Sequence, residues 1–305
     1  MNKARRIGAY AVLRDDAGRV LLARSSERSD VVGTWYLPGG GIEQGEHPAD
    51  TVVREVAEET GLRIAHPTLR AAVADVLEIP ARDQLLHTDR LLYDASVAGG
   101  ELRAEPSGTT DEVRWVSVDE AAGLRLMPFV ARALGLPATP ARVRPDLPPG
   151  EVLTPPEVRP TAKQRLAAYA LVADPDGRIL LTLNADGYPG AAQWHLPGGG
   201  TDHGEQPADA VLREVYEESA QRGELTDLLA AGSYHDPAEL GPEGYPLDWH
   251  QVQVLYRVLV RRPTKPEVLD VGGSTARAEW YAPDEAAELP LTVAAAWALN
   301  LPLLL

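Results

Sequence analysis

The hydrophobic and polar positions follow a mixed pattern that occurs twice along the chain. An apolar stretch over residues 6–13 predicts a strand, a turn follows at Gly18, and residues 20–23 predict a second short strand. Residues 166–173, Gly177 and residues 179–182 repeat the same order. A glycine-rich loop comes next in each half, and then a helix. Pro48 and Pro207 suit the first helical position, where the missing N–H costs nothing. Val52, Val53 and Val56 supply an apolar stripe, and Gly61 is placed as the stop. β-rich segments follow, and each half closes on a helix predicted over residues 118–135 or 283–300.

The repetition extends to the residues themselves. Trp35-Tyr36-Leu37-Pro38-Gly39-Gly40-Gly41 recurs as Trp194-His195-Leu196-Pro197-Gly198-Gly199-Gly200, and Arg54-Glu55-Val56-Ala57-Glu58-Glu59 as Arg213-Glu214-Val215-Tyr216-Glu217-Glu218. Both pairs share one offset, 194 − 35 = 159, so no insertion separates the copies over this stretch. Further on, His87 matches His250 at an offset of 163, and Trp115 matches Trp280 at 165. The two halves read as copies of one domain. Residues 1–136 are expected to form the first and residues 162–305 the second. Residues 137–161 are rich in proline and lack hydrophobic periodicity, which predicts a stiff, extended connector.

Composition narrows the chemistry. The 305 residues contain no cysteine, which excludes disulfides, thiolate metal sites and cysteine nucleophiles. A net charge of −16 argues against binding a nucleic-acid duplex or an anionic membrane surface. No apolar run approaches the roughly 18–20 residues needed to span a bilayer, so a soluble, cytoplasmic protein is expected.

Part of that acidity sits where a cation would be welcome. Glu55, Glu58 and Glu59 stand at i, i+3 and i+4, which stacks three carboxylates on one helix face. Hard oxygen donors in this arrangement suit Mg²⁺ or Mn²⁺ with phosphates as co-ligands. Gly39, Gly40 and Gly41 lie just upstream, and Gly198, Gly199 and Gly200 precede Glu214, Glu217 and Glu218 in the same way. A bare backbone loop allows close approach to a phosphate. Metal beside such a loop is apparatus for cleaving a diphosphate.

Gly40, five residues, Glu46, seven residues, and Arg54-Glu55-Val56-Ala57-Glu58-Glu59-Thr60-Gly61-Leu62 together resemble the Nudix box, over residues 40–62, and residues 199–221 carry a second one. The resemblance implies an α+β chain of two tandem Nudix folds, each an α/β/α sandwich around a mixed β-sheet. It also implies hydrolysis of a nucleoside diphosphate linked to another moiety. In that frame Glu55, Glu58 and Glu59 would be the divalent-metal ligands, and Glu55 or a later acid would be the base. Arg54 would orient the cluster and Glu46 would support it from the loop. Glu214, Glu217, Glu218, Arg213 and Glu205 hold the same places in the second copy. Partners are then a nucleotide or nucleotide derivative, with an internal pseudo-dimer or a homodimer compatible with the duplication.

The second box departs from the pattern at its end. Ala220 replaces glycine and Gln221 the apolar residue, so this helix is expected to run on to about Gly223. An accessory acid from beyond the box could be Glu105, Asp111 or Glu112. Arg277 stands at the position of Glu112, with Glu267, Asp270 or Glu279 as substitutes. His87 and His250 either face the cleft or are satisfied near a strand start. Trp249, beside Asp248 and Tyr245, either stacks on a base or packs. Trp35, Trp194, Trp115 and Trp280 are expected in the cores.

Overall fold

The computed structural model of the chain describes residues 1–106, 108–144, 162–240 and 246–301. Most of the proline connector, residues 145–161, lies outside them, as does Tyr245. Residues 137–144 form no regular element. The chain divides into two compact units. One comprises Met1–Arg165 with Gly232–Val252, and the other Leu166–Ala231 with Gln253–Leu305.

In the first unit the strands are β1 (Asn2–Leu13), β2 (Val20–Ser25), β3 (Trp35–Tyr36), β4 (Gly39–Gly41), β5 (Leu62–Ile79), β6 (Gln84–Gly100) and β7 (Thr110–Val116). They form a mixed sheet, β4-β1-β6-β5, and a three-stranded sheet, β3-β2-β7. β1 runs parallel to β6 and antiparallel to β4. Residues 7–13 of β1 are all buried, which is what a strand covered on both faces requires. Helix α1 (Pro48–Thr60) packs on β1, β4 and β5, burying Val52 and Val56. Helices α2 (Val118–Ala121) and α3 (Pro128–Ala133) cover the other side, where Phe129 and Val130 join Tyr10, Val12, Trp35, Leu37 and Leu92 in one core.

The second half of the sequence repeats this order through β8 (Ala162–Ala173), β9 (Ile179–Asn184), β10 (Trp194–His195), β11 (Gly198–Gly200), α4 (Pro207–Ser219), β12 (Glu224–Leu240), β13 (Pro246–Leu259), β14 (Thr275–Tyr281), α5 (Pro283–Ala287) and α6 (Val293–Leu299), with the start of β8 and residues 232–252 of β12 and β13 belonging to the first compact unit. Here β8 also pairs with β9 at Val172↔Leu180 and Ala173↔Ile179, so the strands count as one sheet. Its core gathers Leu171, Leu181, Trp194, Leu196, Leu255 and three alanines of α5 and α6. Among the described residues no helix is long and apolar enough to cross a membrane.

Three expectations are corrected. The closing helix over 118–135 is two short helices, because Pro128 disfavours helical backbone at Met127, which sits at φ −60°, ψ 143°. Leu126 instead makes a parallel bridge with Trp35, and Leu291 repeats it with Trp194 between α5 and α6. The helix of the second box does not run on to Gly223. It stops at Ser219, with Ala220 left-handed at φ 57° and its N–H on the Tyr216 carbonyl. Gln221 explains the stop: its buried side chain donates to the Ser219 carbonyl and to Thr264 Oγ1, and accepts from the Thr264 N–H. Finally, Trp35 and Trp194 are buried as expected, whereas Trp115 and Trp280 are half-buried at the sheet edge.

Candidate active site

The carboxylates of each box are organised by one arginine. Arg54 meets Glu46 through two bonds, Nε to Oε1 at 2.8 Å and Nη2 to Oε2 at 2.9 Å. It also reaches Glu55 Oε1 at 3.0 Å, Glu58 Oε2 at 3.3 Å and the Gly41 carbonyl at 3.2 Å. Arg213 does the same with Glu205 (2.8 and 3.0 Å), Glu214 (2.9 Å), Glu217 (3.0 Å) and the Gly200 carbonyl (3.0 Å). A planar guanidinium fork is suited to this bidentate task. Burial works against the charged form of Glu46. The bonds from Arg54, from Thr51 Oγ1 and from the Glu43 N–H outweigh it and hold its pKa below the usual value.

The last glutamate of each helix faces inward. Glu59 is 6% exposed, accepts from the Gly39 N–H at 2.9 Å, from Tyr36 OH at 2.9 Å and from Thr110 Oγ1 at 3.0 Å. Tyr36 OH and Thr110 Oγ1 also meet each other. Burial pushes the Glu59 carboxyl up to about 8 despite the hydrogen bonds from Gly39, Tyr36 and Thr110. Glu218 repeats the backbone bond, from the Gly198 N–H at 2.9 Å, and the hydroxyl bond, from Thr275 Oγ1 at 2.5 Å. Its burial takes it up to about 7. Burial also raises Glu55 above the ordinary carboxylate value.

The glycines prove to be strand rather than open loop. Gly39, Gly40 and Gly41 form β4, paired with Tyr10, Ala9 and Gly8. At Gly39, φ +145°, a Cβ would lie 2.3 Å from the Ala9 carbonyl, and at Gly40 one would meet the Glu55 carboxylate at 2.4 Å. Gly198 and Gly199 are constrained alike by Ala168 and Glu214. These glycines therefore let the strand press against β1 and the glutamate helix, and the Gly39 amide helps to fix Glu59.

Glu55, Glu58, Glu59 and Glu105 line a single cavity of about 350 Å³ together with Arg28 and Thr109. Of the three accessory acids, Glu105 is thus the one beside the cluster. Asp111 and Glu112 are both ion-paired with Arg24, at 2.7 and 2.8 Å. In the second unit Asp270 raises the pKa of Glu218 by its charge, which places it near that carboxylate. Glu279 is engaged by Arg277 and Tyr281. Glu105 and Asp270 both lie ten residues before a tryptophan, Trp115 and Trp280, and Thr110 and Thr275 lie five before. That register was the signal for both pairs, and counting back only to Glu112 passes over it.

The donor set fits a hard divalent cation: four carboxylates line one cavity, and one of them, Glu59, is buried with no cationic side chain bonded to it among the described residues. As they stand, no three acidic or histidine side chains among the described residues converge as ligands, since Arg54 lies among Glu55 and Glu58 and Glu59 turns to Tyr36. His87 and His250 are fully buried, not cleft-facing. His87 bonds Asp89 at 2.9 Å and His250 bonds Gln164 at 3.1 Å. Trp249 is half-buried, and its neighbour Asp248 accepts from Gln44 and bonds His235.

This fold, with a glycine strand and an arginine-tethered glutamate helix in each unit, defines the class. The family model described as NUDIX domain matches residues 4–134 and again 163–299. The chain belongs to the Nudix family, with two such domains in tandem. It is similar to a Mycobacterium tuberculosis protein called "Putative 8-oxo-dGTP diphosphatase 3", 35% identical over 130 residues, 42% of this chain and 58% of that one. It is also similar to a Streptomyces rubellomurinus "CMP-5'-(N-acetyl-N-hydroxy-3-aminopropyl)phosphonate hydrolase", 35% identical over 122 residues, 38% of this chain and 53% of that one. The chain thus spans a little over half the length of these curated relatives. Among solved structures, a Burkholderia pseudomallei MutT NUDIX hydrolase is 32% identical, covering 45% of this chain and 96% of that one with a TM-score of 0.36.

Proposed function

We propose that the chain is a pyrophosphohydrolase that cleaves the phosphoanhydride of a nucleoside diphosphate carrying a second group, with the first unit as an active site. The observation that carries this reading is the cavity shared by Glu55, Glu58, Glu59 and Glu105. Mg²⁺ or Mn²⁺ would be held by Glu55, Glu58 and Glu59, and in the second unit by Glu214, Glu217 and Glu218. Such an ion, when bound, neutralises phosphate charge and acidifies water.

The protein's own groups do the rest. Arg54 fixes Glu55 and Glu58 relative to Glu46, so the helix carboxylates do not swing apart. The partly buried Glu55, whose pKa desolvation raises, is suited to take the proton from the attacking water. Water oxygen then bonds to phosphorus, the anhydride P–O bond breaks, and the electron pair leaves on the departing phosphate. The nucleoside-bearing substrates in the two relatives' names support a nucleotide as the substrate class. A Mg²⁺-dependent screen of 8-oxo-dGTP, nucleotide sugars, ADP-ribose and dinucleoside polyphosphates, with products identified, tests the reading. Turnover that survives both Glu58→Gln and Glu217→Gln would overturn it.

A second reading has one unit catalytic and the other a nucleotide-binding regulatory module. The different partners of Glu59 and Glu218 favour it. Loss of turnover in Glu58→Gln but not in Glu217→Gln is its expected outcome.

A further inference from the structure

The two boxes share the arginine and the four glutamates that it organises or that follow it on the helix, yet the residue after the repeated tryptophan differs: Tyr36 in the first unit, His195 in the second. Tyr36 sends its hydroxyl to Glu59 and Thr110. His195 occupies the same place in β10 but turns elsewhere, with Nδ1 2.7 Å from Thr292 Oγ1 and its ring edge-on to Tyr169 at 4.8 Å. The position of Thr292 in the first unit belongs to Met127, since 292 − 165 = 127, at the offset that relates Trp280 to Trp115. Met127 caps α3 with no side-chain hydrogen bond, whereas Thr292 caps α6 by accepting from the Ala295 N–H. The partner that holds His195 away from Glu218 is therefore absent where Tyr36 stands, and Glu218 accepts from the Thr275 hydroxyl and the Gly198 N–H.

We infer that Tyr36 is a positioning residue for the divalent-cation site of the first unit. Through its hydroxyl and Thr110 it fixes the Glu59 carboxylate. The exchange of the Tyr36/Met127 pair for His195/Thr292 leaves the second unit with the weaker cation site. The inference rests on the proposed function, because it takes Glu59 and Glu218 as cation ligands. The chemistry is general: partners hydrogen-bonded to a ligating carboxylate orient it, and their loss typically costs about 10–100-fold in metal affinity or activity. A phenol donor on Glu59 Oε1 leaves Oε2 to the Gly39 amide, so both oxygens are restrained in direction.

The test is Mn²⁺ binding to the full chain, read by electron paramagnetic resonance and calorimetry, with each site isolated in turn. In a Glu217→Gln background, which silences the second unit, Tyr36→Phe is expected to raise the Mn²⁺ Kd of the first site about tenfold. Thr110→Val should move it in the same direction. In the same variants kcat should fall while KM for the nucleotide holds. In a Glu58→Gln background, His195→Tyr combined with Thr292→Met should tighten the second site. Thermal melting monitors folding, so a merely structural role for Tyr36 would lower Tm and leave the Kd of the folded protein unchanged. An unchanged Kd in both Tyr36→Phe and Thr110→Val overturns the inference while the parent reading stands. A wild-type chain whose Mn²⁺ binding is insensitive to Glu58→Gln overturns both.

Discussion

Glu59 and Glu218 occupy the same position in two copies of one domain, and their surroundings differ in a single donor. Each is buried at the end of its helix, each accepts a glycine amide and a threonine hydroxyl, and Glu59 alone has a phenol as well. Glu55 and Glu214, Arg54 and Arg213, Glu46 and Glu205 keep matching contacts to within a few tenths of an ångström. The lesson is that duplication has preserved the charged scaffold and released the groups that brace it. Beside the last glutamate of the helix the copies differ at Tyr36 and His195, a position that an inventory of acidic residues passes over.

The largest effect that can break this comparison is chemical. If Glu55 takes the proton from water, Glu55→Gln should cost about 10²–10⁴-fold in kcat. Glu214→Gln should reproduce that loss for whatever share of turnover belongs to the second unit. Steady-state kinetics of the two variants and of the double variant apportion the activity. Equal losses in both would show that the two units remain equivalent catalysts in spite of Tyr36 and His195.

Next comes the arginine that both units share. Arg54→Ala leaves Glu46, whose side chain is 17% exposed, without its bidentate partner. The loss of charge-assisted hydrogen bonds at a partly buried site is expected to cost about 2 kcal/mol, discounted for solvent screening. Arg213→Ala should behave alike, because its contacts to Glu205 match. Chemical denaturation with both variants checks the equivalence. Arg54→Lys should recover only part of the loss, since a point charge cannot make the fork.

A pH series separates the two buried acids. Glu59 has a folded-state pKa near 8 against 4.5 for an unperturbed glutamate, so the native state holds its proton where the unfolded chain releases it. Stability linked to Glu59 is complete below about pH 4.5 and is lost as pH rises toward 8. For Glu218 the loss ends nearer pH 7. Glu46 has the opposite sign, because its depressed pKa gives stability that disappears in acid. In chelator-treated protein, Tm should therefore decline between pH 5 and 8, and Glu59→Gln should flatten that decline more than Glu218→Gln. A decline untouched by either variant would remove both acids as its source.

These contrasts also show what the sequence could reveal. The glutamate face, Arg54 and Glu46 were legible because they lie on one helix and the loop before it, where spacing alone brings side chains together. The buried β1 and the α1 cap at Gly61 were legible for the same local reason. Tyr36 and Thr110 were not: they come from β3 and β7 and reach Glu59 only because both strands pair with β2. Glu105 had a signal in its distance from Trp115, but nothing local to recommend it over Asp111. The broken closing helices hid behind an apolar pattern that continues past Pro128, where backbone sterics overrule periodicity.

The smallest expected effect concerns Ala220, where the helix stop separates the two units. Gly61 adopts φ 71° at no steric cost, while Ala220 adopts φ 57° with a Cβ. The left-handed conformation costs a non-glycine residue roughly 1–2 kcal/mol, and glycine gives part of that back through greater freedom in the unfolded chain. Ala220→Gly is therefore expected to stabilise the second unit by about 0.5–1 kcal/mol, and Gly61→Ala to destabilise the first by more. The asymmetry has a structural cause. At Gly61 a Cβ would also lie 2.4 Å from the Glu101 carbonyl, so the first unit must move backbone as well as accept strain. In the second unit Gln221 and Thr264 already hold the turn that Ala220 makes. Removing that hold with Gln221→Ala should enlarge the benefit of Ala220→Gly, and a double-mutant cycle in urea measures the coupling. Strict additivity would mean that the stop is set by α4 alone, without the Gln221–Thr264 bonds.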